Sequence, residues 1–257
     1  MSFKENYYGK YAKNIYTQCG DDGIIEKLLE DLNIKDGVVV EFGAWDGVYL
    51  SNVFRLWRYK NFNALLIESD SVKANEMAER TKSFDNVECV NAFVSPNKEH
   101  PQSLDNLLKQ SRFNITNDNL SLVSIDVDSC DYYIFDSLVE FSPKVIIIET
   151  RTFDGEDIYL QHATLDLGCS LKSVTDLAEK KGYKLVCHNG NAYFVRKDLT
   201  HMLPNEDFSF EKLYSSTSDV KIWQSINQYN EKIDGTYYYL QNEYNELISQ
   251  TKRNMLS

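Results

Sequence analysis

The sequence predicts an α/β protein organised on one open, seven-stranded mixed sheet with helices on both faces, followed by a helical extension. Three observations predict it. Short aliphatic runs alternate with stripes of helical period from residue 24 to residue 204, the order expected of strand–helix–strand crossovers. Only the last two runs are separated by a tight turn, His188-Asn189-Gly190-Asn191, so a hairpin forms only there and the earlier strands run parallel. The run at 144–149, Lys-Val-Ile-Ile-Ile-Glu, is apolar through its middle, as in a strand covered on both faces of a parallel sheet.

In chain order, residues 1–23 are rich in Tyr, Asn and Lys with little period, and Tyr7, Tyr8, Tyr11 and Tyr16 read either as a lid or as surface. Ile24, Ile25, Leu28, Leu29 and Leu32 make a helical stripe over 24–33 with acids just before it, and Asp36-Gly37 turns the chain into the first strand. That strand, Val38-Val39-Val40-Glu41, is followed by a glycine turn, Gly43 to Gly47, and then by Val53, Leu56, Trp57 and Tyr59 at helical spacing. Strands at 64–68, 87–90 and 120–125 follow, with helices at 70–82 and 103–108 and a polar loop at 110–119 between them. A helix at 132–139, the strand at 144–149, an irregular stretch at 151–168 and a helix at 170–181 stopped by Gly182 lead to the hairpin strands 184–187 and 192–196. Residues 205–257 are charged and aromatic, with Phe208, Phe210, Leu213, Ile222, Trp223, Ile226, Tyr229 and Ile233 spaced for helices that pack or self-associate into a homo-oligomer. Three segments result: 1–23, a domain at 24–204, and the extension at 205–257. Seven strands with one antiparallel strand inserted at the end resembles the strand economy of the Rossmann-like class I methyltransferase sheet.

Composition bounds the function. A chain of 257 residues, 42% hydrophobic and 26% charged, buries a substantial core without staples. Five cysteines, without a Cys-x-x-Cys pair, suggest neither a disulfide framework nor a zinc knuckle, and a reducing cytoplasm is the expected location. The start of the sequence has no apolar signal core and no run is long enough to span a bilayer. With 27 basic against 39 acidic residues the net charge is −12, which opposes approach to a nucleic acid.

The turn after the first strand narrows the ligand. Gly43 lets backbone come close to a ligand. Gly43-Ala44-Trp45-Asp46-Gly47 lacks the Gly-x-Gly-x-x-Gly of dinucleotide folds and places Glu41 and Asp46 where a pyrophosphate would sit. Two carboxylates repel phosphate and suit an ammonium group with ribose hydroxyls, as in S-adenosylmethionine. Glu68, at the tip of the second strand and about 20 residues beyond the turn, has the position of a ribose-binding acid. Asn91 sits where it can reach an adenine edge or cap its own backbone. The plainer alternative for the turn is a buried strand ending in an ordinary loop.

These residues resemble one family, the FkbM-like S-adenosylmethionine-dependent methyltransferases. The resemblance runs from about Asn14 to Leu199 on Ile15-Tyr16-Thr17-Gln18-Cys19-Gly20-Asp21-Asp22-Gly23, Glu41-Phe42-Gly43-Ala44-Trp45-Asp46-Gly47, Leu66-Ile67-Glu68, Ser124-Ile125-Asp126-Val127-Asp128 and Ile148-Glu149. It implies O-methylation of a sugar or nucleotide-activated sugar, in the making of a surface polysaccharide. Two departures stand out: Ser129-Cys130 replaces a glycine and its neighbour after the second acid, and Thr150-Arg151 replaces Tyr-Asn.

Transfer to a hydroxyl needs alignment and a proton acceptor. Glu41 and Asp46 would hold the methionine end or the loop shape, and Asp126 the ammonium. Asp128 is the first choice of base among the clustered acids, with Asp131 a helix cap. His162, in the stretch after the fifth strand, is a second base. The resemblance leaves a divalent metal, Mg²⁺ or Mn²⁺, open, with Asp126 and Glu149 as oxygen ligands and Arg151 weighing against it. A nucleotide-dependent oxidoreductase and a non-catalytic module that kept the cofactor fold are the alternatives.

Overall fold

The structure, a computed structural model, describes residues 6–127, 129–150 and 168–214. The strands are β1 (Asp36–Phe42), β2 (Asn61–Glu68), β3 (Val87–Asn91), β4 (Leu120–Ile125), β5 (Val145–Glu149), β6 (Tyr183–His188) and β7 (Asn191–Arg196). They form one sheet in the order β3-β2-β1-β4-β5-β7-β6. β1 pairs in parallel with β2 and β4, β2 with β3, and β4 with β5, whereas β7 is antiparallel to both β5 and β6. This is the Rossmann-like class I methyltransferase arrangement. The chain reverses its direction of travel across the sheet between β1 and β4, and the loops after those two strands open a crevice at their carboxyl ends.

Consecutive residues of β1, β4 and β5 are buried. Successive side chains point to opposite faces, so both faces are covered. The helices are α1 (Asp21–Asp31), α2 (Phe54–Tyr59), α3 (Ser71–Thr81), α4 (Leu104–Gln110), α5 (Asp131–Ser137), α6 (Leu171–Lys180) and α7 (Phe210–Leu213). Asp70 caps α3 by accepting from the N–H groups of Val72 and Lys73, and Ser170 caps α6 by accepting from Ser173. β2 starts three residues earlier than its expected range, because the ladder with β1 continues through Asn61, Phe62 and Asn63.

Two of the four N-terminal tyrosines are core residues. Tyr8 is fully buried and Tyr16 nearly so, and Tyr8 stacks on Phe208 with ring centroids 5.9 Å apart. The Asp22 carboxylate accepts from the N–H groups of Ile15, Tyr16 and Thr17 at 2.7–2.9 Å, which fastens residues 15–17 to the start of α1. Residues 6–23 and 205–214 therefore contribute side chains to the same core as 24–204. The helices expected beyond residue 214, and the self-association assigned to them, lie outside the described residues. No helix among the described residues is long and apolar enough to cross a membrane. All five cysteines are free thiols.

Candidate functional site

A cavity of about 510 Å³ opens at the carboxyl ends of the strands, bounded by the loops after β1, β2, β3 and β4, the end of β5 and the start of β7. Its volume is that of a small-molecule site. Glu68 ends β2 on its wall and is 5% exposed. One carboxylate oxygen accepts from the Trp45 N–H at 2.8 Å and the other from the Asp70 N–H at 2.7 Å. These contacts fix the carboxylate at the cavity edge and hold the β1 loop against β2. The Ser69 hydroxyl donates to the carboxylate as well, at 3.3 Å, and of the about four acceptor directions of a carboxylate one is left for a ligand hydroxyl.

Glu41 also reaches the wall. It accepts from the Asn52 N–H at 2.6 Å and from the Ser51 hydroxyl, and burial pushes its carboxyl up to about 7 against the pull of those two bonds. Gly43, at φ +72°, has a different reason from the one expected. A Cβ there would stand 1.9 Å from the Asp126 carbonyl oxygen, so the glycine lets the loops after β1 and β4 touch each other. Gly43 and Asp126 both line the cavity. Trp45 also adopts a left-handed backbone, at φ +51°. Its indole is 45% exposed on the cavity wall, with the Lys73 ammonium 4.6 Å from the ring centroid.

Two expected ligand contacts are corrected. Asp46 is buried and does not line the cavity; it accepts from the N–H groups of Val48 and Tyr49 and pairs with Arg80 at 3.2 Å. Of the two roles considered for it, loop shape is the one its contacts serve. Asn91 likewise turns away, donating to the carbonyls of Glu68 at 2.8 Å and Ser69 at 3.1 Å. It ties the ends of β2 and β3 together, and the residues that follow it, Ala92, Phe93 and Val94, form the wall. Phe93 is 60% exposed and offers an apolar ring there.

After β4, Asp131 is fully buried at the first turn of α5 and accepts from the N–H groups of Val127 and Ser129, which ties both residues to the start of the helix. Asp128 and His162, the two expected bases, and Arg151 lie outside the described residues. Asp126 and Glu149 both line the cavity; among the described residues no three metal-ligating side chains converge.

Sequence reasoning missed Asp21. It was read as a first-turn acid of a helix, yet its buried carboxylate faces the cavity and accepts from the Tyr193 hydroxyl, from Asn189 Nδ2 at 2.6 Å and from Asn191 Nδ2 at 3.2 Å. Burial pushes its carboxyl up to about 7. The local signal that existed was its place in the Ile15-to-Gly23 motif. His188, set aside as a turn residue, ends β6 fully buried, and burial pushes its ring down to about 4. The Thr150 hydroxyl donates to the Gly190 carbonyl, so it is the His188 Nε2–H that donates to Thr150 Oγ1 at 2.9 Å.

No family model and no curated protein matches the chain. Among solved structures, it is similar to a SAM-dependent methyltransferase from Aquifex aeolicus at 14% identity, covering 66% of this chain and 86% of that one with a TM-score of 0.39. It is similar to M. jannaschii TYW2 in complex with AdoMet at 18% identity, covering 67% of this chain and 75% of that one with a TM-score of 0.39. It is also similar to the cyclase SpnF at 10% identity, covering 66% of this chain and 62% of that one with a TM-score of 0.43. The strand order, and not these likenesses, carries the fold assignment.

Proposed function

We propose that the cavity binds S-adenosylmethionine and that the chain is an O-methyltransferase acting on a sugar hydroxyl. One observation carries the reading. Asp21, Glu41, Glu68, Asp126 and Glu149 line the cavity, and no Lys, Arg or His does so among the described residues. A dinucleotide would bring a pyrophosphate into that field. A sulfonium and an ammonium bring the opposite sign, and a ribose brings two hydroxyl donors.

Glu68 would accept from a ribose hydroxyl, Asp126 from the ammonium, and Phe93 would cover the purine with apolar surface. Glu41 supports the site from behind, by holding Ser51 and Asn52 in place. Bound S-adenosylmethionine supplies a methyl group already activated by its positively charged sulfur, so the chain has to align the acceptor oxygen and receive its proton. Asp128 and His162 are proposed for that proton by their place in the sequence. The resemblance to FkbM-like methyltransferases supports a hydroxyl acceptor on a sugar.

Calorimetric titration with S-adenosylmethionine beside NADH tests the first half. Binding of the former without the latter is expected, and NADH binding in its place would overturn the reading. Incubation with methyl-labelled S-adenosylmethionine and a panel of sugars tests the second half, with label retained on oxygen as the expected product and label on carbon or nitrogen as the contrary one.

A further inference from the structure

We infer that Trp45 is a binding residue for the methyl donor, whose purine is held between the Trp45 indole and the ring of Phe93. The inference deepens the proposed function and rests on it. The turn around Trp45 is shaped for a smaller residue. It is closed by the Gly47 N–H, which donates to the Ala44 carbonyl at 2.7 Å, and Trp45 stands second in it at φ +51°. Turns with positive φ at that position favour glycine, asparagine and aspartate, and a left-handed backbone is unfavourable for any residue that carries a Cβ. The indole is nonetheless 45% exposed, on the cavity wall. Neither the turn nor the core accounts for a tryptophan there, so its use lies on the side of the cavity.

The surroundings fix where the ring stands. The Ala44 N–H donates to the Ile67 carbonyl at 3.2 Å and the Trp45 N–H to the Glu68 carboxylate at 2.8 Å, so the turn is fastened to the last two residues of β2. The Lys73 ammonium, paired with Glu76 at 3.0 Å, stands 4.6 Å from the ring centroid and supports the indole from α3. In the strand order β3-β2-β1, the loops that carry Phe93 and Trp45 flank the tip of β2, where Glu68 lies. Two strand spacings separate those loops, roughly 10 Å at about 4.8 Å each. Aromatic rings pair at centroid distances of about 4.5–7 Å, so two rings that hold a third between them stand about 9–14 Å apart. The purine of a donor whose ribose reaches Glu68 fits that interval, and both rings line the cavity.

The test is calorimetric titration of the full chain with S-adenosylhomocysteine and with 5′-methylthioadenosine, which lacks the amino-acid half. Trp45→Gly removes the indole and suits the left-handed backbone, so it probes the ring without straining the turn, and urea unfolding checks that the fold is kept. Trp45→Leu, which leaves apolar cover without a ring, gives a second reading should the glycine variant not fold. Stacking of a base on an aromatic ring is expected to be lost in both variants, weakening the two ligands by the same factor, about fivefold or more. Trp45→Phe should recover most of that loss. Unchanged affinity in the folded variants, a loss confined to S-adenosylhomocysteine, or a wild type that binds S-adenosylhomocysteine but not 5′-methylthioadenosine overturns the inference. The wild type keeps the two levels apart. If it does not bind S-adenosylhomocysteine, the reading of the cavity itself fails; if it binds and the variants contradict, only the place of Trp45 fails.

Discussion

Glu68 joins two tasks in one carboxylate, because the oxygens that would receive a ribose also hold the Trp45 and Asp70 amides. Replacing it with glutamine keeps the shape and puts an NH₂ group against an N–H donor. A hydrogen bond to a charged group contributes about 1.5–3 kcal/mol, so Glu68→Gln is expected to weaken S-adenosylmethionine binding by about tenfold or more in calorimetry. Undiminished affinity would remove Glu68 from the site. Gly43 offers a second test at this scale, with Gly182 as its control. Both have positive φ, at +72° and +85°, but a Cβ meets backbone at Gly43 and nothing within 4 Å at Gly182. A left-handed backbone costs a non-glycine residue about 1–2 kcal/mol, and the forced contact adds about 1–3 kcal/mol more. Gly43→Ala should thus lower the urea-unfolding free energy clearly more than Gly182→Ala does; equal losses would mean that the loops after β1 and β4 yield freely. The acid at the end of β2 was legible because strand position alone determines where it points. Asp46 and Asn91 kept two roles each in the sequence because their side-chain directions depend on turn geometry, which residue type does not reveal.

At the scale of elements, the union of α1 with the β6–β7 hairpin is titratable. The Asp21 carboxyl, ordinarily near 3.8, is raised to about 7 by burial. The folded chain keeps this proton at pH values where the unfolded chain has lost it. Its contribution to stability is therefore full below the unfolded value and falls away as pH rises toward 7. Asp21→Asn removes the titration, so the wild type should lose ground to the variant between pH 4 and pH 8 by about 1 kcal/mol or more. The offset at pH 4 reports the altered hydrogen bonds. His188, lowered to about 4, acts in the opposite sense by favouring folding as pH rises through its range, but it is present in both proteins and cancels from the difference. Chemical denaturation across that pH range reads the trend, and a constant difference would show that Asp21 does not titrate with folding. The elements themselves were legible: the helices expected at 70–82 and 170–181 start at the residues that cap α3 and α6, and Asn189-Gly190 marked its hairpin. The bond from Asn189 to Asp21 spans 168 residues, and no local pattern encodes a pairing of that range.

For the whole molecule, topology was readable because only one pair of strands is close enough to turn back on itself, which left the others to run parallel. The sheet order then gathers acids from distant segments on one cavity, and the net charge of −12 adds a long-range field of the same sign. S-adenosylmethionine carries one more positive charge than its demethylated product, S-adenosylhomocysteine. On the proposed function, the chain should therefore hold the donor through a salt-sensitive attraction that the product lacks. Raising NaCl from about 0.02 M to about 0.5 M shortens the Debye length from roughly 20 Å to roughly 4 Å. The more distant charges are screened out over that range, while direct contacts such as those of Glu68 persist. The donor Kd is expected to rise about threefold or more while the product Kd stays within about a factor of two. Calorimetric titrations of both ligands at the two salt concentrations measure this directly. Equal responses would mean that selection of the donor comes from contacts alone, and that the acidity of the chain serves some other end.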